Sequence, residues 1–121
     1  MKWTAVFCDE FEQEFLLFEP GLQLEIAAHF NVVEAFGPVL GRPLVDTVKN
    51  SKFANMKELR FTWQRKAYRF FFAFDPQRDI VVLVGGSKTN DKRFYDTKIP
   101  VADERFEKYL NQVNHRSIYQ H

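Results

Sequence analysis

The run from Tyr68 to Phe74, YRFFFAF, constrains this chain more than any other feature. Both of its alternating faces are apolar, with Arg69 as the one exception. Such a run fits the central strand of a sheet that is covered on both sides. Fourteen Phe among 121 residues supply the apolar material for that cover. The flanking segments read as strands too, Met56–Thr62 before it and Ile80–Val84 after it. Trp63-Gln64-Arg65-Lys66 and Asp75-Pro76-Gln77-Arg78 supply the turns, the second with Pro where φ near about −65° is wanted.

Around this core the spacing changes to other periods. Lys2–Phe7 reads as a first strand, with Trp3, Ala5 and Phe7 on one face. Asp9 is placed to cap a helix, with Glu12 completing a capping box. Phe11, Phe15 and Phe18 form its apolar stripe, and Pro20-Gly21 is expected to end it. A second helix is predicted from about Leu22 to Phe36, burying Leu22, Ile26, Phe30 and Val33, and Gly37-Pro38 is its stop signal. Together the two helices make an αα-hairpin. Residues 37–55 have no periodicity and read as an extended loop. Asn90–Tyr95 reads as a short helix or turn, Val101–Val113 as a last helix, and Asn114–His121 as a polar tail expected to fray. The order is β-α-α-β-β-β-α. It implies an α+β domain with a small, mostly antiparallel four-stranded sheet, spanning residues 1–121 as one unit.

Composition excludes several classes. The 45% apolar and 27% charged fractions are those of a globular chain, not a disordered one. A single cysteine, Cys8, leaves no internal disulfide framework and no Cys-rich zinc site. No apolar run approaches the roughly 18 residues of a membrane span. The start turns acidic within ten residues, unlike a signal or transit peptide, so a reduced, cytoplasmic protein is expected. The net charge of +1 hides an asymmetry. Residues 1–40 carry one base against seven acids, and residues 41–121 carry 16 bases against nine acids. The densest stretch holds Lys49, Lys52, Lys57, Arg60, Arg65, Lys66 and Arg69 against Glu58 alone. Charge alone leaves two readings open: a surface for a polyanionic partner, or a basic solvated strand–turn–strand face.

Familiar catalytic patterns are missing. There is no phosphate-binding Gly-rich loop and no nucleophile elbow. His29, His115 and His121 stand apart, so no metal-ligand spacing exists and no cofactor is implied. His29 reads as a helix-packing residue, His115 and His121 as spectators. Cys8 lies beside Asp9 and Glu10, without the positive surroundings of a reactive thiolate. What remains is a basic and aromatic set at the strand ends. Glu58 and Arg60 share a strand face. Arg69 needs a partner or a sheet edge, and Glu58 is the cross-strand candidate. After the last strand, GGSKTNDKRFY brings Ser87, Lys88, Thr89, Lys92, Arg93 and Tyr95 close in sequence. Bases interleaved with Trp63, Phe94 and Tyr95 are what single-stranded RNA recognition uses, charge for phosphates and rings for bases. A solvated helix-cap loop would read much the same.

The stretches GPVLGRPLVDTVKNSKFANMKELRF, YRFFFAFDPQRDIVVLVGG and KTNDKRFYDTKIPVADERFEKYL resemble the RelE/ParE toxin superfamily, in its HigB-like, phage-derived branch. The most specific pieces are Lys57-Glu58-Leu59-Arg60, Tyr68-Arg69 opening an apolar strand, and Gly85–Thr89. The resemblance covers nearly the whole chain and implies the toxin half of a type II toxin–antitoxin module. RelE-like and HigB-like members cut mRNA in the ribosomal A site, whereas ParE-like members inhibit DNA gyrase. Three outcomes therefore stand: a ribosome-dependent mRNA endoribonuclease, a gyrase inhibitor, or a degenerate toxin that only binds.

By motif position the resemblance implies a catalytic set of Arg60, Arg69, Lys88 and Tyr95. Glu58 stands where a second basic residue is common in the family. Lys57, Trp63, Arg65, Lys66, Lys92, Arg93 and Phe94 are the expected RNA-binding residues. In 2′-OH attack on the adjacent phosphate, Arg60 and Arg69 would stabilise the phosphorane. Glu58 or Tyr95 would act as base, and Tyr95 would need its phenol lowered by neighbours such as Lys88 and Arg93. The implied partners are a helix-turn-helix antitoxin of the HigA kind, the ribosome and mRNA, with no membrane. Two surfaces stand open to the antitoxin: the basic one, and an acidic helical one presenting Glu10, Glu14, Glu19 and Glu25. The second is the expected contact.

Overall fold

A computed structural model describes residues 2–119, with side chains through Val113. The elements are β1 (Thr4–Phe7), α1 (Asp9–Leu16), α2 (Pro20–Phe36), a 3-10 turn at Gly37–Val39, β2 (Val45–Thr47), β3 (Met56–Trp63), β4 (Lys66–Phe74), β5 (Asp79–Ser87) and α3 (Phe94–Tyr119). The sheet has five strands in the order β1-β5-β4-β3-β2. Only β1 on β5 is parallel, and the other pairs are antiparallel. The α+β class, the αα-hairpin and the central place of YRFFFAF are as expected.

β4 has both faces buried from Tyr68 to Ala73. On one face Phe70 meets Phe11 and Phe18, and Phe72 meets Phe30, which docks the hairpin. On the other, Phe71 meets Phe94 and Tyr95 of α3. Two glycines are dictated by close approach. A Cβ on Gly85 would lie 2.5 Å from the Arg69 carbonyl oxygen, so β5 passes β4 only without one. Gly37, at φ +65, ends α2 in the left-handed region, and a Cβ there would meet Trp3 Nε1 at 2.6 Å.

Several boundaries differ from the sequence reading. β2 adds a fifth strand inside the expected loop. It is three residues long, and only Val45 is buried, so it carries no alternation to read. Pro20 and Gly21 open α2 instead of ending α1, since Pro is tolerated in the first helical turn. The Asp9–Glu12 capping box does not form, because the N-cap is Cys8 and no side chain caps it. Gln23 closes the other end of α1, donating to the carbonyls of Phe15 and Phe18 at 3.0 Å each. A single helix from Phe94 replaces the short and last helices, with Pro100 inside its second turn. That helix continues to Tyr119 through most of the expected tail. The side chain of His115 and the whole of His121 lie outside the described residues. No helix among the described residues is long and apolar enough to cross a membrane.

Candidate functional site

Register places the chemistry. Arg60 on β3 pairs directly with Arg69 on β4, and alternation puts both on the α3 side of the sheet. Two guanidinium groups opposed across a ladder repel unless an anion lies between them. Glu58, one step along the same face, supplies it. Its Oε2 accepts from Arg60 Nη1 at 3.3 Å, and its Oε1 lies 3.8 Å from Arg69 Nε. Tyr95, at the start of α3, donates its hydroxyl to Glu58 Oε1 at 2.8 Å. Lys88 Nζ sits 5.8 Å from the Tyr95 ring centroid. The five catalytic candidates of the sequence reading thus form one cluster.

The cluster is shielded. Glu58 is 5% exposed and Arg69 8%. Arg69 Nη1 donates to the Tyr68 carbonyl at 2.8 Å, but its Nε is buried without a hydrogen-bond acceptor. A buried orphan guanidinium donor is uncommon and invites an incoming oxygen. The Glu58–Arg69 ion pair that the sequence suggested is present, diagonal in the ladder because Glu58 stands opposite Phe71. Beside Glu58 and Tyr95 lies a cavity of about 220 Å3 whose lining includes Thr47, Lys49, Asn50 and Ile99. No reading of the sequence reached Thr47, Asn50 or Ile99. Thr47 and Asn50 enter the site because β2 joins β3 at the sheet edge, and Ile99 enters it from α3.

The phenol of Tyr95 is raised, opposite to what a base at neutral pH needs. Burial is the main cause, followed by the hydrogen bond to and the charge of Glu58. The expected lowering by Lys88 and Arg93 is therefore corrected: Tyr95 is a donor in this arrangement. Glu58 is the acceptor of that hydrogen bond.

The expected RNA-binding residues divide. Arg65 at the β3–β4 hairpin tip, Lys66 at the start of β4, and Lys92 and Arg93 before α3 are exposed. Phe94 is not available to stack a base, being 1% exposed and packed on Phe71. Trp63 lies on the hairpin side, its indole packed against Gly21 and near Tyr68. Lys57 alternates to that same side and donates to Thr47 Oγ1 at 2.8 Å. The period-2 rule held the signal for Trp63 and Lys57, since Glu58 and Arg60 occupy the opposite phase. Among the described residues no group of three or more His, Cys, Asp or Glu could hold a metal ion.

Residues 13–107 match the family described as phage-derived protein Gp49-like (DUF891). A Mycobacterium tuberculosis protein named as toxin HigB3 is 41% identical over 108 residues, covering 88% of this chain and 93% of that protein. A second from the same organism, named as toxin HigB2, is 47% identical over 89 residues, which are 72% of this chain and 44% of that protein. Among solved structures, a double mutant of the E. coli toxin RelE in the free state aligns with a TM-score of 0.61 at 11% identity. That alignment covers 87% of this chain and 98% of the other. At that identity the likeness shows the fold.

Proposed function

Because this chain belongs to the phage-derived Gp49-like family and is a RelE-like toxin of the HigB type, we propose that it is a ribosome-dependent mRNA endoribonuclease of a toxin–antitoxin module. A toxin of this kind has a cognate antitoxin; that the antitoxin is a helix-turn-helix protein of the HigA kind is part of the proposal. The observation that carries the nuclease reading is the Arg60–Arg69 pair around Glu58, with Arg69 Nε lacking an acceptor. A phosphate oxygen is a natural acceptor for that fork.

In the proposed reaction the ribose 2′-oxygen attacks the adjacent phosphorus and gives its proton to the Glu58 carboxylate. The phosphorane's added charge falls on Arg60 and Arg69, whose guanidinium groups bind phosphate oxygens bidentately. The P–O5′ bond breaks, leaving a 2′,3′-cyclic phosphate and a 5′-hydroxyl once the leaving oxygen is protonated. Lys88 and Tyr95 are the nearby groups able to supply that proton. Entry of a phosphate requires Glu58 to release at least one arginine. The cluster is thus self-closed when empty, and the ribosome's positioning of mRNA would help open it.

Primer-extension mapping of mRNA after induced expression tests this. Codon-spaced cuts on translated messages, with naked RNA cut far more slowly, are expected. Intact mRNA with an SOS response would give the gyrase reading instead. Equal rates on naked and ribosome-bound RNA would remove the ribosome from the mechanism.

A further inference from the structure

The helix α2 is apolar on both of its sides. Leu22, Ile26, Phe30 and Val33 point into the core. The opposite side, which ordinary amphipathic helices fill with charge, carries Leu24, Ala28, Asn31, Val32, Ala35 and Phe36, all exposed. Leu24 is 72% exposed and Phe36 59%. At 1.5 Å per residue the stripe runs about 18 Å, a little over three turns of helix, with Asn31 as its one polar member among these six. A contiguous exposed stripe of this kind marks an interaction surface.

Its rim says what covers it. From Trp3 to Gly41 the chain has no Lys or Arg. Three of its seven acids are already engaged: Glu10 with Lys108, Glu14 with Arg105, and Glu34 with the Ala5 amide. Glu10 and Glu14, which were expected to face a partner, each hold a base of α3. Glu12, Glu19 and Glu25 make no ion pair among the described residues. A second copy of the chain, packed stripe to stripe, would set acidic rim against acidic rim. We propose that the outer face of α2 is the docking surface for an amphipathic helix of a different protein, with an apolar seam flanked by Lys and Arg. The surface lies on the hairpin, across the sheet from Arg60 and Arg69. The occupant leaves the phosphate-binding cluster uncovered, and the proposal stands apart from the nuclease reading.

The test uses two synthetic 20-residue helices with the same Leu seam, one flanked by Lys and one by Glu. Each is titrated by fluorescence anisotropy against the full chain. The Lys-flanked helix is expected to bind, with affinity falling as salt rises. The Glu-flanked one should bind weaker by on the order of tenfold or more. Leu24→Asp/Val32→Asp should reduce binding of the Lys-flanked helix by a similar factor. Both positions are exposed, and circular dichroism checks the fold. Glu19→Lys/Glu25→Lys tests the rim separately and should erase the preference for Lys. The chain alone should sediment as a monomer. Failure of both helices to bind, binding indifferent to the Leu24 and Val32 changes, or equal affinity for both helices would overturn the proposal. So would a dimer dispersed by those changes, which would show that a second copy covers the face.

Discussion

The two faces of β4 are built from one alternating strand and end with opposite properties. On the hairpin face Tyr68, Phe70 and Phe72 continue an aromatic array that includes Phe61, Phe11, Phe18 and Phe30. On the α3 face Phe71 is covered by Phe94 and Tyr95, but Arg69 lies past the start of α3, where Arg60, Glu58 and Tyr95 surround it. The difference lies in the reach of the covering helices. Where cover is complete, apolar burial dominates. Where it stops, a charge survives only with a counter-charge.

The contrast can be broken from either side. The largest effect should come from the dry face. Phe70→Ala removes a fully buried ring and should cost about 3–5 kcal/mol, read as a lower urea midpoint. It should impair growth arrest only through lost folded protein. Arg69→Ala should do the reverse. Glu58 keeps Arg60 and Tyr95, so the stability loss should be about 1–3 kcal/mol, with growth arrest abolished. Arg69→Lys should also be impaired, because one ammonium cannot reproduce the guanidinium fork. Unfolding by Arg69→Ala would show that bracing is the residue's main task.

Tyr95 sharpens the division between donor and base. Tyr95→Phe should cost about 1 kcal/mol at neutral pH through the lost hydrogen bond to Glu58. The folded phenol is raised above its unfolded value. Its contribution is therefore fully present below the unfolded pKa of about 10 and is lost as pH rises through the folded one. Urea melts of the wild type should weaken across that alkaline window, and those of Tyr95→Phe should lack this component. A phenol lowered into the neutral range would contradict the geometry of the cluster. The smallest effect belongs to the surface. Lys108→Ala breaks the exposed pair with Glu10, 2.8 Å long, and should leave the urea midpoint nearly where it was. High salt should erase any remaining difference.

Local pattern determined much of this protein. The apolar run at Tyr68–Phe74 required a central strand, and Leu22, Ile26, Phe30 and Val33 are the buried face of α2, because both follow from side-chain period alone. The cluster members Glu58, Arg60, Arg69, Lys88 and Tyr95 were legible as types and motif positions. Their assembly was legible only in part. The expected turn at Trp63-Gln64-Arg65-Lys66 is the one observed and sets Arg60 opposite Arg69, but the contact of Tyr95 with Glu58 depends on how α3 packs across the sheet. The fate of the aromatics was decided the same way. Nothing local separates Phe94, which α3 presses into the core, from a ring left out for a base. β2 and the cavity lining came from tertiary packing as well, since three edge residues gain strand geometry only by pairing with β3, and Ile99 reaches Thr47 and Asn50 only once α3 is packed on the sheet. Periodicity is a property of a segment, whereas register, cover and cavity are properties of segments already packed. Only the folded chain holds them.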